Sequence, residues 1–568
     1  MSLVAEKTPK EGETNDISDA VIRLAGNSQD GIQTIGGFLA RLAGRSAQEV
    51  MTYMTIPSTI SGGASIFQVR IGSGEVLSPG DEADFLVAFY QDSYENHISS
   101  LRDGGVCLYD NDHVEPDTDD KRVTYVGIPM TSTTVEAIGG SARDRGKNIF
   151  VLGLLTNLFG LNRKKLVTII EAQFKRKHES VLRNAMLAFD SGYAYEIGQI
   201  HDHNYSFEPG AAEEGNRITT DGNTALTYGL LAAGVRYGAG YPITPWSSIM
   251  ETLRSELPKY GGIFIQSEDE LAAIASTVGF AYAGHVAVTG SSGPGLSLKM
   301  EALGYASMAE LPLVVINVQR GGPSTGLPTS VEQSDLMQAI YGSHGDTPRV
   351  VIAPKDVEDC YHTAIEACHI AKEFSTPVII LTDQSLATRI EAFPEPDLSD
   401  ISEPGLDIEP RGEEFLPYPL ESETKHAPPG TKMLNGKYPV VTGLEHDEWG
   451  HPSSNPELHQ KMTNRRRNKL KRLASTLSAP EVYGPEEGEV LLIGWGSTWG
   501  PIREAVDTAL KNEQQLSAIH LRHIHPMPDG IDNIIEKFNK SIVIEMNDEG
   551  LYGYGQLATL LRARYANP

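Results

Sequence analysis

Four short runs in the middle of the chain are apolar along nearly their whole length, rather than at every second position: HVAVTG (285–290), PLVVINV (312–318), RVVIAP (349–354) and PVIILT (377–382). A strand that is apolar on both faces must be covered on both, so such runs belong to a mostly parallel sheet with helices packed over it. Helical patterns at 224–236, 248–257, 268–283 and 357–375 supply the cover, and FIQ near 264 supplies a further strand. The alternation of strand and helix defines an α/β class.

The same alternation appears twice more. From Ala20, AVIRLAG reads as a buried strand, 35–43 as a helix, and 65–71, 83–88 and 105–108 as strands, before a long helical region from 148 to about 195. From 484, VLLIGWGS, AIHLRHI and SIVIEMN alternate with helices to give a compact unit. The chain of 568 residues, at roughly 150 per domain, has room for three or four domains. The expected organisation is a disordered tail over 1–18, a first α/β domain over 19–200, a linker over 201–216, a second domain over 217–393, a connecting segment over 394–483 and a third domain over 484–568. The connecting segment is rich in Pro, Glu and Asp and contains a basic run, NRRRNKLK (464–471). That run reads first as the solvated face of a helix, with contact to an acidic partner or ligand as the alternative.

Net charge is −28, which repels phosphate backbones and argues against nucleic-acid binding. Three cysteines, Cys107, Cys360 and Cys368, cannot build a four-cysteine zinc or iron–sulfur site from this chain alone, and they exclude a disulfide framework. No apolar run approaches the ~18–20 residues of a membrane helix. The polar N-terminus lacks the pattern of a targeting signal. The expected setting is a soluble protein of the cytoplasm with no metal of its own.

Chemistry concentrates in the second block. In GYPITPWSS (240–248), Thr244 either caps the following helix or offers its hydroxyl to a carboxylate. Glu268, in IQSEDELAAIASTVGFAYAG (265–284), sits where a strand ends and a small-residue helix begins. It is either an acid favoured by the helix dipole or a carboxyl pressed into a helix–sheet contact, where burial would favour its protonated form. Asp269 and Glu270 read as dipole acids. VTGSSGPGLSL (288–298) is a strand, a Gly-Ser loop and a helix without the Lys-Ser/Thr of a nucleotide P-loop. RGGPSTGLPT (320–329) follows the strongest strand and so lies at the carboxyl edge of the sheet, where open α/β sheets bind ligands. Arg320 is suited to a bidentate grip on a carboxylate, or else pairs with a surface acid.

In order and spacing, YPITPWSS, QSEDE, TGSSGPGLSL, RGGPSTGLPT and VEQSDL (331–336) resemble the alpha subunit of the 2-oxoacid:ferredoxin oxidoreductases, which depend on thiamine diphosphate. The resemblance makes the second block the pyrimidine-binding domain and the third a transketolase-C-terminal-like domain. The first resembles the gamma subunit, fused at the N-terminus, with AGNSQDG (25–31) and TIPSTISGGASIFQVRIG (55–72) as the matching stretches. It implies that Glu268 activates the cofactor, that Pro245 and Gly293 line it, and that Thr244 and Arg320 hold the 2-oxoacid carboxylate. The gamma-type domain is then proximal to coenzyme A, although Gly26 to Gly31 departs from that subunit's usual glycine loop and also reads as a plain β–α turn.

The Gly-Asp-Gly motif with a later Asn that binds the cofactor diphosphate through Mg²⁺ is missing, as are cluster cysteines. The resemblance therefore implies a beta subunit carrying diphosphate, Mg²⁺ and a [4Fe–4S] cluster. The implied assembly is a dimer of alpha–beta heterodimers that passes electrons to ferredoxin and the acyl group to coenzyme A. Run in reverse, it would fix CO₂, as in a reductive tricarboxylic acid cycle. The fused layout, the RGGPSTGLPT form and HDEWGHPSSNPELH (446–459) look most like the 2-oxoglutarate members. A distal carboxylate would want a second cation, for which Arg349, Lys299 and His344 are candidates and Arg349 is preferred because it precedes a sheet strand; a surface pairing of Arg349 is the alternative. Pyruvate, branched-chain or aryl 2-oxoacids, and a non-catalytic scaffold, are the competing readings.

Overall fold

In the computed structural model the four apolar runs are neighbours in one sheet. The structure describes residues 14–57, 62–139, 146–175, 177–196, 204–211, 216–399, 406–422, 425–550 and 553–565. Contacts divide the chain into two units: residues up to Thr220 together with Arg389–Glu395, and Asp221–Thr388 together with the chain from Pro396 onward.

The second unit is built on seven strands in the order Ile263–Gln266, Tyr237–Gly240, Ala287–Ser291, Leu313–Gln319, Pro377–Asp383, Val350–Ile352 and His523–His525. The first six are parallel, and the last is antiparallel. Every residue of Leu313–Gln319 and Pro377–Asp383 is buried, as expected for central strands covered on both faces. Helices Gly222–Ala232, Glu270–Tyr282, Gly293–Met308 and Val357–Phe374 provide the cover. A second, three-stranded parallel sheet (Leu516–His520, Gly488–Gly494, Phe538–Ile544) comes from the C-terminal block. Its Ile493 and Trp495 share one core with Leu313 and Val351, so the C-terminal block is not a unit of its own.

The first unit carries an eight-stranded sheet, with Asp19–Asn27 at its middle. On one side Ala83–Ala88, Leu101–Asp110 and Thr124–Ile128 run parallel to it. On the other, Ala64–Gly72, Glu49–Met54 and Ile390–Pro394 are each antiparallel to the strand before, and Arg217–Asp221 is the eighth strand, at the edge. The sheet is therefore mixed: the stretch joining residues 54 and 64 is too short for a crossover helix and returns the chain beside itself. The expected long helical region is three helices, Lys147–Leu158, Arg163–Phe174 and Glu179–Tyr193. The first and third cross in near backbone contact, since a Cβ on Gly153 would lie 2.1 Å from the Phe189 carbonyl oxygen.

Three sequence expectations change here. Thr14–Ile17, placed in the tail, pairs in parallel with Asn204–Phe207, placed in the linker, because Tyr205 and Phe207 bring aromatic rings onto Phe159. Residues 1–13 lie outside the described structure. Arg389–Glu395, expected to close the second domain, belongs to the first unit. The basic run is a solvated face only in part: on helix Pro456–Thr476, Arg467 and Lys471 are exposed, while Arg465, Arg466 and Lys469 are buried. Arg465 and Lys469 grip the two carboxylate oxygens of buried Glu310, Lys469 at 2.6 Å, and Arg466 is paired with Glu445 at 2.8 Å. Among the described residues no helix is long and apolar enough to cross a membrane.

Candidate active site at the carboxyl edge of the sheet

At the carboxyl ends of the second unit's parallel strands, the loop after Gly240 is fixed from below. The Trp246 ring lies so close to the neighbouring strand that a Cβ on Gly290 would sit 2.2 Å from it. Asn223 Nδ2 donates to the Pro245 carbonyl oxygen and to Ser248 Oγ, both at 2.9 Å. Arg320, just past the end of Leu313–Gln319, donates from Nη1 to the Thr244 carbonyl oxygen at 2.6 Å and from Nη2 to the Thr325 carbonyl oxygen at 2.9 Å. Two of the expected residues, 76 positions apart, are thus brought together.

Arg320 is 6% exposed, and its Nε is buried without a hydrogen-bond partner. Burial lowers its pKa, against a smaller raising effect from Asp335. Among the described residues no carboxylate lies within ion-pair distance of it, so its direct partners are carbonyl dipoles and Asp335 acts on it only from further away. Such a buried cation is costly unless an anion joins it. Pro245 is buried below this loop, and a Cβ on Gly293 would meet the Asp335 carboxylate at 3.1 Å. The Thr244 side chain is exposed.

Glu268 is exposed at the same edge and is not pressed into a helix–sheet contact. The buried acid is Glu270, which the sequence reading assigned to the dipole alone. Its side chain fills the space left by Gly295, where a Cβ would be 2.6 Å from Oε1, and buried Lys299 donates to its backbone carbonyl oxygen at 3.0 Å. Burial pushes the Lys299 ammonium down to about 8. Gly295 and Lys299, four residues apart on one helix face, were the available signal. Glu268 is flanked by apolar surface: Ile263, Ile265 and Leu271 are 47%, 37% and 54% exposed. The strand carrying Ile263 and Ile265 is an edge strand.

Arg349 lies elsewhere. By register it stands level with Pro377, whereas Arg320 stands level with Gln384, a separation of seven residues or roughly 23 Å along the strands. It is wholly buried at the amino edge, donating to the carbonyl oxygens of Gly342 and Thr347 and to Ser343 Oγ. Burial pushes it down to about 10. The expected pairing with a substrate carboxylate is replaced by a structural role, and a surface acid is not its partner either. His344 is exposed in the same amino-edge loop.

Buried polar atoms without protein partners in the second unit include Trp246 Nε1, Ser291 Oγ, Ser292 Oγ and Asn317 Oδ1, besides Arg320 Nε. In the first unit, Gly26 packs on Ile32 and Phe89, and Asn27 and Asp30 close a capped turn before Gly31, so AGNSQDG is a β–α turn. Among the described residues no group of three His, Cys, Asp or Glu side chains is placed to hold a metal.

A largely parallel α/β sheet with a buried arginine at its carboxyl edge places a cation where open α/β sheets bind ligands. Residues 228–465 match the family model described as pyruvate flavodoxin/ferredoxin oxidoreductase, thiamine diphosphate-binding, and residues 21–195 that of pyruvate ferredoxin/flavodoxin oxidoreductase. The chain is 36% identical to the 2-oxoglutarate oxidoreductase subunit KorA of Mycobacterium tuberculosis, covering 97% of this chain and 88% of that one. It is 37% identical to the 2-oxoglutarate synthase subunit KorA of Methanothermobacter thermautotrophicus over 57% of this chain and 86% of the other. The 2-oxoglutarate:ferredoxin oxidoreductase from Magnetococcus marinus, solved with 2-oxoglutarate, coenzyme A and succinyl-CoA bound, superposes with a TM-score of 0.87 at 35% identity, over 96% of this chain and 94% of that one. The chain belongs to the 2-oxoacid:ferredoxin oxidoreductase family, as an alpha-type subunit with a gamma-type domain at its N-terminus, and is most like the 2-oxoglutarate members.

Proposed function

We propose that the chain is the alpha-type subunit of a 2-oxoglutarate:ferredoxin oxidoreductase. With a beta subunit it converts 2-oxoglutarate and coenzyme A to succinyl-CoA and CO₂ and reduces ferredoxin, and the same reaction can run in reverse. The observation that carries this reading is Arg320, a buried guanidinium without a carboxylate, fixed beside Thr244 at the edge where the family holds its substrate.

Thiamine diphosphate, held by Glu268, Pro245 and Gly293 through its pyrimidine, would supply the carbon nucleophile and the electron sink for decarboxylation. Glu268 holds a proton at the pyrimidine nitrogen. Arg320 and the Thr244 hydroxyl orient the carboxylate common to all 2-oxoacids, and the carbonyl bonds of Arg320 keep its guanidinium from turning with the substrate. The exposed apolar residues around Glu268 support a second chain closing over it, and burial there would favour the protonated carboxyl. To that beta subunit we assign the diphosphate, Mg²⁺, the [4Fe–4S] cluster and delivery to ferredoxin, within a dimer of heterodimers. Arg349 has no part in this mechanism.

Co-expression with the beta subunit tests the assignment. Viologen reduction that depends on both 2-oxoglutarate and coenzyme A is expected, with pyruvate and branched-chain 2-oxoacids slower. An assembled, iron-loaded complex that prefers any other 2-oxoacid would overturn the substrate, and one inert to all of them would overturn the function.

A further inference from the structure

Helix Pro456–Thr476 presents Arg467 and Lys471 to a cavity of about 680 Å³ within the second unit. Residues 340–349, the segment from His525 to Asp529, and Arg564 complete its wall. Five cationic side chains line it, against the carboxylates of Asp346 and Asp529. Two of the five are committed: Arg349 to backbone oxygens, and Arg466 to Glu445. The other three are not. Arg467 reaches Asp346 only at 3.6 Å, Arg564 meets only the hydroxyl and ring of Tyr565, and Lys471 has no partner among the described residues.

On a molecule of net charge −28 this is a local field of the opposite sign. His525 in the wall registers it: burial first, then Arg564 and Arg349, push the imidazole down to about 4. The remaining wall includes Ile340, Leu470 and Ala474, and Tyr341 contributes a ring that is 63% exposed. Cations this loosely held beside an apolar, aromatic wall, in a volume typical of small-ligand pockets, match a molecule with several phosphates and a flat ring.

We propose that this cavity binds a nucleoside polyphosphate, with Arg467, Lys471 and Arg564 on the phosphates and the Tyr341 side taking the base. Arg349 places it at the amino edge of the sheet, so it is distinct from the Thr244–Arg320 edge.

The test is calorimetric titration of the full chain with ATP, inorganic tripolyphosphate and coenzyme A, at low and at physiological salt. ATP is expected to bind saturably, more weakly as salt rises, and at least about tenfold more tightly than tripolyphosphate. The Arg467→Ala/Lys471→Ala variant loses exposed side chains only and keeps its thermal midpoint. It is expected to bind ATP at least about tenfold more weakly, with ATP-free dye reduction by the assembled enzyme unchanged. Absence of saturable ATP binding, or unchanged affinity in the double variant, would overturn the site. Tripolyphosphate binding as tightly as ATP would overturn the nucleoside. Coenzyme A binding that the double variant loses in step with ATP would make the cavity a co-substrate site and overturn the proposal as stated.

Discussion

Arg320 and Arg349 are both buried arginines next to strands of the same sheet, and their environments separate their roles. Neither is ion-paired, but Arg320 leaves Nε without a partner, while Arg349 spends its donors on the loop that folds around it. Arg320→Ala is expected to lower kcat/KM for every 2-oxoacid by a factor of about 30 or more, the cost of losing a desolvated charged hydrogen bond. Arg349→Ala is expected to lower the thermal midpoint by uncovering the Gly342 and Thr347 carbonyls, and to leave the ratio of 2-oxoglutarate to pyruvate turnover unchanged; a selective loss of 2-oxoglutarate would restore it to the substrate. Glu268→Gln is expected to cut turnover of the assembled enzyme by at least about 10². Because Glu268 is exposed in this chain, the variant's melting curve should overlay the wild type. The sequence placed Glu268 and Arg320 at strand ends, since strand ends are visible as the close of an apolar run; it placed Thr244 in a turn between two helices and missed the short strand Tyr237–Gly240 before it. It could not show that Arg320 binds the Thr244 carbonyl, because nothing local to either residue encodes a partner 76 positions away.

Between elements, charge does the joining. Helix Val357–Phe374 is tied to strand His523–His525 through Glu366, which accepts from His523 Nε2 at 2.6 Å and pairs with Arg522; Arg522 also reaches Asp359 at 2.8 Å. Burial alone would raise the Glu366 carboxyl, but His523 and Arg522 outweigh it and hold it down at about 2, against an ordinary 4.5. The folded state thus favours the carboxylate. The stabilisation is present above about pH 4.5 and is lost as pH falls toward 2, an amount on the order of 2–3 kcal/mol after screening. Urea titrations across that window should show a shallower acid decline for Glu366→Gln than for the wild type, and parallel declines would remove Glu366 from the linkage. The basic helix illustrates why such ties escape a sequence reading. NRRRNKLK has the composition of a solvated face, and only the fold brings Glu310, left-handed at φ 52, beneath it. A charge is legible in a sequence, but the acid that neutralises it is not.

At the scale of the whole molecule, the parallel core was legible because continuous apolar runs admit few arrangements. The mixed sheet of the first unit was less so: alternation of strand and helix does not reveal which connections are too short to cross over. The C-terminal block looked separate because its own strands and helices alternate, yet His523–His525 and a shared core merge it with the second unit. The chain purified without a beta subunit is expected to carry no iron and to reduce no viologen dye with 2-oxoglutarate and coenzyme A, and addition of the beta subunit should restore both. Turnover by the chain alone would contradict the division of the active site.

The return of Arg389–Glu395 to the first unit means that the polypeptide passes between its two units three times. Ile390–Pro394, which lies between Glu49–Met54 and Arg217–Asp221 in the first unit's sheet, is therefore made more than 160 residues after the rest of it. During synthesis Glu49–Met54 lacks that neighbour until six of the seven strands of the second unit's larger sheet have been made as well. A gene divided after residue 211 would leave two of that sheet's eight strands, Arg217–Asp221 and Ile390–Pro394, on the downstream product.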